Sequence, residues 1–259
     1  MIKPVMGIQL YTLRDFIQTA EDFDNTLARL AAMGVTDVQI SAIGDIPAET
    51  QKEILDKHGM KVCVTHKSLD RMKNDLPALI AEHQTIGCDA LGLGAAPGDA
   101  RGSYAVVKPF VETLERIGAA VGKAGMTFQY HNHDFEFKTL SDCGKRMIDV
   151  LIDETDPALL HFIPDVAWID YGGEDPVEIL KRMKGRVKVL HFKDYIIDGD
   201  GARKFVSLGK GQVDLAACYR AACELEIPYI MYEQDDNWAD GDAFKATEES
   251  WAYMQSLIG

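Results

Sequence analysis

Along this chain, short apolar runs alternate with longer stretches whose apolar residues recur at helical spacing, and the joint between the two is repeatedly a glycine. The joint appears at Met33-Gly34-Val35, His58-Gly59-Met60, Ile86-Gly87-Cys88, Ala124-Gly125-Met126 and Lys184-Gly185-Arg186. Glycine just past a helix takes the left-handed position that ends it. The apolar runs predict eight strands, at residues 6–11, 37–41, 61–66, 90–93, 127–131, 160–165, 187–192 and 229–233. Each is short and mostly apolar, as for parallel strands buried on both faces. Helices are predicted at 24–33, 75–86, 104–123, 142–153, 176–183, 214–225 and 244–257. Asp142 is the expected N-cap of the fourth, and Asp175 followed by Pro176 opens the fifth.

Alternating strands and helices imply a parallel sheet. Eight such units in 259 residues fit a single (β/α)8 TIM barrel spanning 1–259. An open doubly wound sheet that binds a dinucleotide carries a Gly-rich turn after its first strand. Here that position reads Tyr11-Thr12-Leu13-Arg14-Asp15, and Gly209-Lys210-Gly211 is too short to replace it.

Charge narrows the partners. A net charge of −14 argues against nucleic acid and anionic membrane surfaces. Arg203, Lys204 and Lys210, in the long connection after the seventh strand, read as a solvated face rather than a phosphate site. The five cysteines are odd in number and form no CxxC pair, as in a reduced, cytoplasmic protein. No secretory leader or membrane span is expected. A homo-oligomer is compatible with the sequence, which does not specify one.

In a (β/α)8 barrel the chemistry sits at the C-terminal ends of the strands. The third predicted strand ends in His66 and the fifth in His131, with His133 two residues on. The sixth ends in Asp165, the seventh leads through His191 to Lys193 and Asp194, and the eighth ends in Glu233. Side chains at i and i+2 of a strand face the same way, so His131 and His133 can share one cavity. Imidazoles and carboxylates converging there make a candidate site for one divalent metal, held by His131, Asp165, His191 and Glu233. Mixed nitrogen and oxygen ligation suits Mn, Co, Zn or Fe better than Mg. Two-residue parity allows His133 in place of His131. Gln9, Tyr11 and His66, on the other strand ends, are candidate substrate contacts. Trp168 is a fourth, as a stacking surface for a sugar ring.

Several stretches together resemble the xylose isomerase-like TIM barrels, the sugar phosphate isomerase/epimerase family that includes endonuclease IV. They are residues 7–15, His131-Asn132-His133 with its flanks, Pro164-Asp165-Val166-Ala167-Trp168, His191-Phe192-Lys193-Asp194, residues 209–214 and Tyr232-Glu233-Gln234-Asp235. The resemblance implies one divalent metal held from the fifth to eighth strands, with Asp165, His191 and Glu233 matching the family's last three ligands. The family's fifth-strand Glu-Asn-His reads His131-Asn132-His133 here, and Trp168 stands where many epimerases carry a histidine. The epimerases use their two glutamates as acid and base on opposite faces of the substrate carbon, so the exchange at 131 disturbs that pair. The resemblance implies an enzyme that removes a proton α to the carbonyl of a keto sugar or polyol. His131 or His133 is the expected base, Glu233 a ligand and acid/base group, and Lys193 a donor to the developing oxyanion. Isomerisation, epimerisation and β-elimination all follow from that step; the two-histidine variant is similar to members that eliminate from inososes or keto-glycosides. A nuclease of the endonuclease IV type lacks support, because the extra His and Glu ligands of its trinuclear site are missing. A non-catalytic sugar-binding barrel is the remaining alternative.

Overall fold

The computed structural model describes residues 2–258. Eight parallel strands form the barrel: β1 (Val5–Gln9), β2 (Asp37–Ile40), β3 (Lys61–His66), β4 (Ala90–Leu93), β5 (Thr127–His131), β6 (His161–Ile163), β7 (Val189–Phe192) and β10 (Tyr229–Tyr232). Their order is β6-β5-β4-β3-β2-β1-β10-β7. Parallel bridges Phe162↔Val187 and Asp165↔His191 join the two ends. The second of these places two of the candidate ligands side by side.

Between the strands run α1 (Ala20–Ala32), α2 (Ala48–Lys57), α3 (Leu69–Asn74), α4 (Leu76–Ile86), α5 (Tyr104–Lys123), α6 (Met147–Asp153), α7 (Val166–Tyr171), α8 (Pro176–Arg182), α9 (Leu215–Glu224) and α10 (Ala243–Ile258). The expected barrel is therefore the observed one. The expectations missed α2, α3 and α7, the last two being six residues each. The first expected strand stops at Gln9, because Leu10–Phe16 turns into a 3-10 helix. The Gln9 side chain accepts the Tyr11 N–H, which starts that turn.

Two further differences have local causes. Asp142 does not cap the helix after it, which begins only at Met147. Its carboxylate instead accepts the Tyr104 and Ala105 N–H groups at 2.5 and 3.0 Å, and so closes the start of α5 from across the chain. The long connection after β7 is an antiparallel hairpin, β8 (Asp194–Ile197) with β9 (Arg203–Val206). Asp194 anchors it by accepting four backbone N–H groups, from Tyr195, Gly209, Gly211 and Val213. A Cβ at Gly211 would lie 2.1 Å from Asp194 Oδ1, so only glycine lets the backbone come that close.

The barrel interior has two layers. The lower one is apolar: Val64, Ile163, Val189 and Met231 pack with Cys63 and Ala90. Gly7 makes room for it, since a Cβ there would meet Met231 Sδ at 2.7 Å. Two residues further along the chain from each come His66 and His191, within β3 and β7, and Asp165 and Glu233, just past the ends of β6 and β10. One strand pleat, about 6.6 Å of rise, thus converts a packing layer into a titratable one.

Candidate active site

A cavity of about 370 Å³ opens over this upper layer, lined by Tyr11, Ser41, Ala42, His66, Gly94, Ala95, His131, His133, Lys193, Glu233 and Asp235. His131 and Glu233 line it, and one ligand atom each of these two and of the fully buried Asp165 and His191 lies within 4.8 Å of the others. All four residues are buried.

Each side chain is aimed by a bond on its far side. His131 Nδ1 faces the Gly94 carbonyl at 2.9 Å; a carbonyl only accepts, so Nδ1 carries the proton and Nε2 turns to the cluster. Asp165 Oδ1 accepts the Ala167 and Trp168 N–H groups at the start of α7, while Asn132 Oδ1 accepts the Asp165 N–H. That leaves Oδ2 facing His131 Nε2 at 3.5 Å. His131 Nε2 is buried without a hydrogen-bond partner, and the buried Asp165 Oδ2 has the Lys193 ammonium at 3.1 Å. His191 Nδ1 lies 3.0 Å from Glu233 Oε2. Two imidazole nitrogens and two carboxylates whose inner atoms face one another, with His131 Nε2 orphaned, fit a divalent cation.

The electrostatics follow from burial and neighbouring charge. Burial disfavours charge on His131, yet the carboxylates of Asp165 and Glu233 outweigh it and its pKa lies above the usual imidazole value. Burial pushes His66 and His191 down, and both are neutral. Lys193 is buried too, but Asp165, Asp235 and Glu233 hold its ammonium charged. Its Nζ is 3.1 Å from Asp165 Oδ2 and 3.0 Å from Glu233 Oε2, and it donates to both Asp235 oxygens.

His133 belongs to the cavity wall but not to the four-residue group. Its ring packs at 5.2 Å from Trp168 and 5.6 Å from Phe135, and its Nδ1 is buried without a partner. Burial first, then the charges of His131 and Lys193, push its pKa down to about 3. It is uncharged at neutral pH. Behind it, Glu136 accepts the Tyr130 hydroxyl and the His133 N–H, and burial raises its pKa to about 7.

Of the four candidate substrate contacts, Tyr11 and His66 line the cavity and Gln9 and Trp168 lie outside its lining. Gln9 is fully buried, and both ends of its amide are used, on Ser41 Oγ and the Tyr11 N–H. Trp168 lies behind His133, with the Arg203 guanidinium 4.2 Å from its ring. Lys204 pairs with Asp198 and Lys210 with Glu249, so the basic residues after β7 are engaged away from the cavity.

Sequence reasoning missed Asp235 and Gln39. Asp235 has the parity of Glu233, two positions on, a signal that was present. Gln39 was passed over because β2 ends without a charge. It is fully buried and bonds both His191 and His66. A glutamine inside a strand buried on both faces was itself the clue.

The profile of the xylose isomerase-like TIM barrels matches residues 27–256. The chain belongs to that family. Among curated relatives it is 37% identical over 87 residues to an inosose dehydratase of Clostridium perfringens, covering 34% of this chain and 28% of that protein. To an inosose dehydratase of Lacticaseibacillus casei it is 35% identical over 161 residues, covering 56% and 52%. The chain thus spans about half the length, or less, of these two relatives. A solved sugar phosphate isomerase/epimerase from Parabacteroides distasonis is similar over 99% of this chain and 97% of its own, at 26% identity and a TM-score of 0.79. Among the described residues no helix is long and apolar enough to cross a membrane.

Proposed function

We propose that this protein is a metal-dependent carbohydrate enzyme that removes a proton α to the carbonyl of an uncharged polyhydroxylated ketone and completes the reaction by eliminating water. The observation that carries this reading is the pairing, on one cavity, of the His131/Asp165/His191/Glu233 group with a neutral His133 outside it. The similarity to inosose dehydratases supports the elimination outcome.

His131, Asp165, His191 and Glu233 would hold the ion. When bound, a divalent ion supplies polarisation of the substrate carbonyl and counter-charge for the enolate. His133 takes the α-proton and the C–H electron pair passes into the enolate, whose collapse forms the new C=C bond as the β C–O bond breaks. The proton then passes from His133 to the departing hydroxyl, which leaves as water. One base serving both steps on one face suits syn elimination, whereas epimerisation needs groups on two faces. Lys193, on the cavity wall, would donate to the enolate oxygen. Lys193 is also the sole Lys or Arg lining the cavity, and three carboxylates already surround it. That argues for a substrate without phosphate.

A second reading, isomerisation or epimerisation of a keto sugar, is favoured by Asp235. It adds a carboxylate beside Glu233 on the cavity wall and could serve as the second acid/base group.

The test is a panel of inososes, 3-keto-glycosides and ketoses incubated with Mn²⁺ or Co²⁺. Dehydrated product is expected from an inosose, and His133→Ala should abolish α-hydrogen exchange with deuterated solvent while metal stays bound. Epimer interconversion that persists at wild-type efficiency after replacement of both His131 and His133 would overturn the elimination reading.

A further inference from the structure

We propose that Gln39 is a positioning residue whose single amide fixes the proton positions of two imidazoles, one in the metal-ligating group and one on the substrate cavity. The inference rests on the metal reading above. Gln39 lies on β2 and is fully buried. Its Oε1 is 2.7 Å from His191 Nε2 and its Nε2 is 2.9 Å from His66 Nε2.

An amide has one end that only accepts and one that only donates. The accepting end requires the His191 proton on Nε2. The lone pair of His191 is then on Nδ1, 3.0 Å from Glu233 Oε2, an arrangement of two acceptors that a cation between them would satisfy. The donating end requires a lone pair on His66 Nε2, so the His66 proton is on Nδ1. The ligand atom of His191 and the hydrogen-bonding character of His66 are thereby set together.

The comparison with His131 sharpens the point. Its Nδ1 is held by the Gly94 backbone carbonyl, which cannot exchange donor for acceptor. The Gln39 amide can rotate. Rotated, it would donate to His191 Nε2 and move that ring's proton to Nδ1, where it would block the ligand lone pair. His66 would then donate from Nε2. Occupancy of the metal site therefore selects one amide orientation and, through it, one tautomer of a cavity residue 27 positions away in sequence.

The test compares wild type, Gln39→Glu and Gln39→Leu, with Zn²⁺ as a diamagnetic probe. Zn²⁺ affinity is measured by competition with a chelator, and imidazole tautomers are read from histidine ¹⁵N shifts. The carboxylate of Gln39→Glu still accepts from His191 Nε2, so affinity should stay at least at the wild-type level, while His66 moves to the Nε2–H form. Gln39→Leu loses both bonds, and affinity should fall about 10- to 100-fold, as for other groups that orient a metal-binding histidine. Equal losses in the two variants, or wild-type affinity in a folded Gln39→Leu, would overturn the proposal. Failure of wild type to bind Zn²⁺ would sink the metal reading instead. In that event the metal-free spectra still decide: in wild type the two tautomers must be linked, His66 Nδ1–H with His191 Nε2–H or His66 Nε2–H with His191 Nδ1–H, and unlinked tautomers would overturn the inference.

Discussion

The two layers inside the barrel are made by the same four strands and differ in almost every physical respect. Val64, Ile163, Val189 and Met231 below are apolar and packed against one another. His66, Asp165, His191 and Glu233 above are titratable, and all but the half-buried His66 are buried. The lower layer holds the barrel by burial of hydrocarbon. The upper one is tolerated only because its charges face opposite charges, with Lys193 among Asp165, Glu233 and Asp235. Stability and chemistry are thus separated by one pleat rather than by a loop or a domain.

The sharpest way to test this division is to remove one charge from the upper layer. Asp165→Asn should leave circular dichroism unchanged while metal content, measured by elemental analysis of the purified protein, falls at least about 100-fold. Activity should drop about 10³-fold, equivalent to roughly 4 kcal/mol of transition-state stabilisation. Lys193→Met should expose the cost of the layer itself. Removing one partner of a buried ion cluster costs about 3 to 5 kcal/mol, so the metal-free variant should unfold at markedly lower urea concentration. Added Mn²⁺ should recover much of the loss.

The lower layer should respond in the opposite way. Met231→Ala is expected to cost about 2 to 5 kcal/mol in urea unfolding, with metal affinity and KM close to wild type. If instead metal affinity collapses in Met231→Ala, the two layers are not separable. The smallest effect concerns Glu136, beside the upper layer. Its pKa of about 7 in the fold exceeds the usual carboxylate value of 4.5. The native state therefore holds the extra proton between those values, and stability falls as pH rises from 4.5 to 7. The shift corresponds to at most about 3 kcal/mol. Urea unfolding across that range should show this slope in wild type and lose it in Glu136→Gln.

The barrel was legible because its signals are local. Glycine-ended helices and apolar runs report burial on both faces, and β3, β4 and β5 lie where those signals put them. Alternation along a strand likewise brought His131, Asp165, His191 and Glu233 together. What escaped depends on contacts remote in sequence. Asp142 caps α5 from 38 residues away, a choice that no local pattern distinguishes from capping its own helix. The parity rule left His131 and His133 equivalent as inward-facing residues, but the Gly94 carbonyl separates them. Trp168, in the first turn of α7 after its N-cap Asp165, packs against His133 and Lys193 rather than lining the cavity itself.

The apolar layer also governs traffic. Beneath the ligand group the barrel axis is filled by side chains, so nothing can pass downward through it. On the proposed reading, substrate, eliminated water, product and the metal ion would all use the mouth above. A bound ketone would then stand between the ion and solvent, and metal exchange should slow in proportion to substrate occupancy. On that reading the ion would load before the ketone, and release of the last product would reopen the way for its loss.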